Sequence, residues 1–240
     1  MPINLDILAI AAHPDDAELS CAGTLLSHIH QGFKVGILDL TQGEMGTRGT
    51  PEIRSTEAKK STEILGIHIR ENLGMADCFF ENDRPHQIEI IKIIRKYRPK
   101  IVLLNAPEDR HPDHGKGSQL GSDACFLAGL QKIETKHEGE FQKEWRPQFV
   151  YHYIQDRLLE HDFVVDITPY FETKILGIKA FSSQFFDPNN SETKTYISDE
   201  KYFNYIEGRA LEFGHSIGVK YGEGFIKQRQ IGIKNIFDLI

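Results

Sequence analysis

The feature that most constrains this chain is a change of hydrophobic period, repeated along its first hundred residues. Leu5-Asp6-Ile7-Leu8-Ala9-Ile10-Ala11-Ala12 is a short apolar run, closed by Pro14 and a pair of acids. Helix-forming composition follows from Ala17 to about His30 and stops at Gly32. Val35-Gly36-Ile37-Leu38-Asp39-Leu40 predicts a second buried strand, and Thr41 to Thr50 a Gly/Thr-rich loop. Pro51 suits a helix N1 position, with helix formers from Glu52 to Leu65 and Gly66 as the stop. Isoleucines at 88, 90, 91, 93 and 94 predict an amphipathic helix over Pro85 to Tyr97, and Ile101-Val102-Leu103-Leu104 a third buried strand. Buried strands alternating with helices in this way specify βαβ units, and right-handed crossovers place helices on both faces of a parallel sheet.

The expected fold class is therefore α/β: a single Rossmann-like domain over residues 1–240, with a mostly parallel sheet flanked by helices. Phe149 to Ile154 and Phe163 to Ile167 predict two more strands. Helices are expected from Pro169 to about Phe181 and from Ser198 to Phe213. Residues 131–147 are polar and charged and predict a surface excursion. Gln230 to Ile240 is mildly apolar, suited to an edge strand or an oligomer contact. No Pro/Gly/Ser linker divides the chain.

Several function classes drop out on composition. With 28 basic and 35 acidic residues, the formal charge of −7 disfavours a protein that tracks nucleic-acid phosphates. The apolar runs are too short for a transmembrane helix, and no secretory h-region follows a basic start. Cys21, Cys78 and Cys125 are odd in number and widely spaced. They form neither a disulfide framework nor a zinc knuckle, so a reducing, cytoplasmic setting is expected.

In open parallel sheets, ligands bind beyond the carboxyl ends of the strands. Two acid/histidine clusters fall at such ends: His13-Pro14-Asp15-Asp16 after the first strand, and Asp109-Arg110-His111-Pro112-Asp113-His114 after the third. Imidazole nitrogens and a carboxylate oxygen suit a borderline cation such as Zn²⁺; the same donors accept Fe²⁺ and Co²⁺. His13, Asp16 and His114 supply such a set, leaving Asp15 and His111 beside it. A free carboxylate there can act as general base, and a histidine can stabilise an oxyanion or protonate a leaving group. Asp113 would hold that imidazole in its useful tautomer. A dinucleotide site is excluded on the same residues. Its GxGxxG turn would stand where this chain has a proline and two carboxylates, and Gly23 lies well inside the next helix.

The two His/Asp motifs together resemble those of the PIG-L/LmbE-like zinc-dependent N-acetylglucosaminyl deacetylases. Thr41-Gln42-Gly43-Glu44-Met45-Gly46-Thr47, Arg54, Ser183-Gln184-Phe185 and Tyr221-Gly222-Glu223-Gly224-Phe225 resemble the branch acting in bacillithiol synthesis. The resemblance implies removal of acetate from N-acetylglucosaminyl malate. It implies His13, Asp16 and His114 as zinc ligands, Asp15 as base, and His111 with Asp113 as its electrostatic and general-acid partner. It further implies Arg54 for the malate carboxylates, Glu44 for sugar hydroxyls, Arg110 as a second binder, and Tyr202, with Tyr196 as rival, near the oxyanion. It implies a small-molecule sugar conjugate as partner and a homo-oligomer, a hexamer in that branch. Alternatives are a zinc amidohydrolase on another N-acyl sugar or small amide, a metal-binding module without turnover, and a two-metal phosphoesterase.

Overall fold

The strands form where apolar side chains can be buried on both faces of a sheet. β1 (Ile7–Ala11) and β2 (Val35–Thr41) are buried along their whole length, and β4 (Ile101–Leu104) along all but its first residue. The computed structural model describes residues 3–188 and 192–238. Between these strands run α1 (Asp16–His30), α2 (Pro51–Leu65), β3 (Ile69–Met75) and α3 (Arg84–Tyr97). After β4 come α4 (Pro112–Ala128), the short strands β5 (Lys136–His137) and β6 (Glu140–Phe141), β7 (Phe149–Tyr153) and β8 (Phe163–Asp166). α5 (Phe171–Lys179), α6 (Tyr202–Ser216) and β9 (Gly222–Lys227) follow.

One seven-stranded sheet has the order β3-β2-β1-β4-β7-β9-β8. Neighbours from β3 to β7 are parallel; β9 runs antiparallel to both β7 and β8. This is the mostly parallel α/β sheet expected. The chain moves outward from β1 to β3, then returns to place β4 on the other side of β1. The strand order therefore reverses between β1 and β4, the switch point where such sheets open a crevice.

The two cores follow the period-two alternation of the strands. Leu8 and Ile10 face α3 and α4, packing with Ile90, Ile94, Leu104 and Leu120. Ile7, Ala9 and Ala11 face α1, packing with Ala17, Cys21 and Leu25. Gly23 lets α1 approach closely: a Cβ there would lie 2.7 Å from the Ile167 side chain. At the same level the Glu223 carboxylate accepts from the Gly23 and Thr24 backbone N–H groups at 3.0 and 2.7 Å, and Lys174 pairs with it at 2.6 Å. Lys174 and Glu223 are both buried. Lys174→Met is expected to destabilise the protein by about 3–5 kcal/mol, because it strands a buried carboxylate. Equilibrium unfolding in urea measures this.

Several elements differ from expectation. β3 reads Ile69-Arg70-Glu71-Asn72, a half-exposed edge strand without an apolar run. β9 is rich in glycine, and α4 carries three glycines and many polar residues, so none of the three has a strong hydrophobic signal. Pro169 belongs to a 3₁₀ turn over Thr168–Tyr170 that precedes α5. Ser198 stands in a turn, bonding Thr195, and α6 begins only at Tyr202. The excursion at 131–147 folds into the β5–β6 hairpin, whose Glu138 and Gly139 both have positive φ, 52° and 87°, as a tight two-residue turn requires. Of the two roles suited to the C-terminal stretch, an edge strand or an oligomer contact, the strand is absent among the described residues. A 3₁₀ turn over Ile236–Asp238 stands there, with Ile236 72% and Phe237 87% exposed, and residues 239–240 lie outside the described residues. Among the described residues, no helix is long and apolar enough to cross a membrane.

Candidate active site

The adjacency of β1 and β4 brings the two clusters together. Ile7 is in register with Ile101 and Ala9 with Leu103, so the loops leaving both strands start side by side. Ala12 N–H donates to Asn105 Oδ1 at 2.9 Å and ties them. From one loop α1 opens at Asp16; from the other α4 opens at Pro112, with His111 as N-cap. The loop after β3 adds Asp77 and Cys78, the loop after β7 adds Gln155, and the first turn of α2 adds Arg54. Together they line a cavity of about 160 Å³.

Asp16 is the centre of the arrangement. Its Oδ1 lies 3.1 Å from His114 Nε2, and its Oδ2 lies 3.5 Å from His13 Nδ1. The other nitrogen of each ring meets an outer carboxylate. His114 Nδ1 is 2.5 Å from Asp109 Oδ2; His13 Nε2 is 3.0 Å from Asp77 Oδ1 and 3.5 Å from Asp113 Oδ2. Each imidazole is thus held from behind and turned toward Asp16, an arrangement that fixes ring orientation and tautomer. Asp16 also accepts from His13 N–H at 2.9 Å, and from Asn105 Nδ2 and Gln155 Nε2 at 3.0 Å each. These last donors are neutral, and among the described residues no Lys or Arg pairs with Asp16.

The electrostatics fit a cation at this place. Burial pushes both imidazoles toward neutrality, yet the surrounding carboxylates hold His13 well above its ordinary value and His114 at about 9. Burial also works to raise the Asp16 carboxyl, but the two histidines hold it well below the usual range. Two imidazoles and a carboxylate, all buried and in contact, are a donor set for a divalent ion. Nitrogens of His13, His111 and His114 also fall within 4.8 Å of one another, as do ligand atoms of His13, Asp77 and Asp113.

Asp15 lies beside this cradle in a backbone conformation that L-residues rarely adopt, φ 123°. Burial pushes its carboxyl up to about 7, against the pull of the Arg54 guanidinium 2.9 Å away. His111 packs edge-on against His13, with ring centroids 4.6 Å apart. Burial and the neighbouring imidazoles lower its pKa. Its Nδ1 accepts from Asp113 N–H at 3.3 Å, which puts the ring proton on Nε2. Asp113 meets His111 through its backbone. Its carboxylate turns to His13, to Cys78 N–H at 2.8 Å and to Lys116 at 3.0 Å.

The remaining candidates divide by position. Tyr202 is buried and lines the cavity, whereas Tyr196 is exposed and stacks under the Arg110 guanidinium at 4.6 Å. Arg110 stands at the mouth, 3.5 Å from Asp156. Glu44 is exposed beside the site and accepts from Asp77 N–H at 2.7 Å. Sequence reasoning does not single out Asp77, Asn105, Gln155 or the role of Asp109. Asn105 and Gln155 stand just past β4 and β7, Asp77 just past β3, so the strand-end rule reaches all three once the strands are known.

Known proteins share this architecture. The profile of the PIG-L family, described as GlcNAc-PI de-N-acetylase, matches residues 8–125. A diacetylchitobiose deacetylase of Thermococcus kodakarensis is 31% identical over 228 residues, covering 91% of this chain and 81% of the relative. The chain belongs to the PIG-L family. A probable N-acetyl-alpha-D-glucosaminyl L-malate deacetylase 2 of Bacillus anthracis is 24% identical over 222 residues, 83% of this chain and 94% of that one. The crystal structure of the conserved protein TT1542 from Thermus thermophilus superposes with a TM-score of 0.86 at 31% identity, covering 97% of this chain and 98% of that one. The chain is an N-deacetylase of the PIG-L family, with a His/Asp group able to hold a metal ion.

Proposed function

We propose that this PIG-L member removes acetate from an N-acetylglucosaminyl conjugate, with N-acetylglucosaminyl malate as its substrate. The observation that carries the reading is the placement of Asp15: a buried carboxyl held by Arg54, beside a carboxylate and two imidazoles that fit a cation. His13, Asp16 and His114 would hold the ion, Zn²⁺ for preference, since Fe²⁺ and Co²⁺ suit the same donors. Bound there, a divalent ion supplies Lewis acidity to the amide carbonyl and to water.

The chain's own residues carry the protons. Asp15 accepts a proton from the water whose oxygen bonds to the acetyl carbon. His111, whose Nδ1 accepts from Asp113 N–H and so leaves Nε2 to donate, gives a hydrogen bond to the developing oxyanion; Tyr202, lining the same cavity, would add a second. The C–N bond then breaks as the amine nitrogen takes the proton that Asp15 accepted, which regenerates the carboxylate, and acetate and a free glucosaminyl amine result. Arg110 at the mouth, with Glu44, would meet the sugar and its carboxylate-bearing aglycone.

The reading extends to one domain over residues 1–240, a cytoplasmic setting supported by three free cysteines, and a homo-oligomer. Acetate release is measured on N-acetylglucosaminyl malate, diacetylchitobiose and N-acetylglucosamine. The expected order places the malate conjugate first in kcat/KM by about tenfold or more, the worth of one charge-assisted contact. Hydrolysis of diacetylchitobiose with none of the malate conjugate would replace the aglycone; acetate from none of the three would overturn the reading.

A further inference from the structure

Arg54 stands 40 residues from Pro14 in the chain, yet its guanidinium reaches that turn. Its Nη2 donates to Asp15 Oδ2 at 2.9 Å and to the Pro14 carbonyl at 2.8 Å. Its Nη1 donates to the Gly43 carbonyl at 3.2 Å. The residue is buried, at 5% exposure. One guanidinium therefore joins the first turn of α2, the β1–α1 turn and the loop after β2.

The loop is built around it. Gly43 has φ +68°, and a Cβ there would lie 1.7 Å from Arg54 Nη1, so only a glycine leaves room for the guanidinium. Gly46 closes the same turn by donating its N–H to the Gly43 carbonyl at 3.0 Å. Asp15 needs such a partner. Its φ of 123° is a sparsely populated conformation that persists only where surrounding contacts over-determine it. Arg54 holds the residue at two points, the carboxylate and the carbonyl just before it. A lysine offers a point charge and cannot form this planar fork.

We infer that Arg54 is a positioning residue: it fixes the Asp15 carboxylate, and the loop carrying Glu44 and Met45, in the geometry that proton transfer needs. This rests on the reading of Asp15 as base. It differs from a contact to substrate carboxylates, which would act on binding.

The test measures kcat and KM for Arg54→Ala and Arg54→Lys on an anionic substrate, N-acetylglucosaminyl malate, and a neutral one, diacetylchitobiose. Metal content is measured in parallel. The expected result is a fall in kcat of about tenfold or more on whichever substrate turns over, within the range of a misplaced general base. KM and metal content stay near the parent's, and added guanidinium restores part of the kcat of Arg54→Ala. Arg54→Lys, which keeps charge and stem, falls between and remains informative if the alanine variant does not fold. In an Asp15→Asn background, Arg54→Lys should cause no further loss. A rise in KM confined to the anionic substrate, with kcat intact, would overturn the inference, as would full additivity with Asp15→Asn. Near-normal turnover by Asp15→Asn alone would instead remove the base assignment beneath it.

Discussion

Asp15→Asn is expected to keep its metal and to lose turnover by about 10²–10⁴-fold, the range a positioned general base contributes. The substitution is nearly isosteric. The amide oxygen can still accept from Arg54 Nη2, as Asp15 Oδ2 does at 2.9 Å. Asparagine also tolerates positive φ better than most residues, so the 123° backbone of position 15 need not relax. What is lost is the capacity to hold a proton. Acetate release under saturating substrate, with metal content measured by mass spectrometry, separates the two properties. Turnover near that of the parent would show that the proton goes elsewhere, with His111 the next group in reach.

His114→Ala is expected to lose both the ion and the activity. His114 contributes one nitrogen at 3.1 Å from Asp16 and is braced at the other by Asp109 at 2.5 Å. Removing it leaves the cradle with one imidazole and one carboxylate, fewer donors than a catalytic site of this kind uses. Loss of an outer partner alone typically weakens metal binding by about 10–100-fold, so loss of the ligand itself should exceed that. Asp109→Asn provides the graded comparison. The amide can still accept from the Asp156 and Arg157 N–H groups, now at 3.1 and 2.7 Å from Asp109 Oδ1, but braces the ring less strongly. Full metal occupancy in His114→Ala would overturn the ligand set.

The legibility of the fold varied with burial. β1, β2 and β4 could be read because central parallel strands are apolar on both faces. β3 is an edge strand with charged side chains, and β9 packs glycines against α6, where a Cβ on Gly224 would lie 2.8 Å from Phe213. Neither leaves a hydrophobic signature, because neither owes its place to one. The site was legible where histidine and aspartate recur in one motif. Asn105, Gln155 and Asp77 are single residues whose meaning depends on which strands are neighbours, and that follows from the sheet order alone. Arg54 shows a further limit. Its position in the sequence is compatible with several partners, and only the direction of its side chain, back toward Pro14 and Asp15, separates a strut from a substrate contact.

The central claim is that one divalent ion in the His13/Asp16/His114 cradle, with Asp15 beside it, carries the reaction. The most direct measurement is acetate release by the chelator-treated protein during titration with Zn²⁺. The account predicts no release from the chelated protein and full recovery at about one ion per chain, as for a single catalytic site. Undiminished release from the metal-free protein, or recovery that needs two ions, would contradict it.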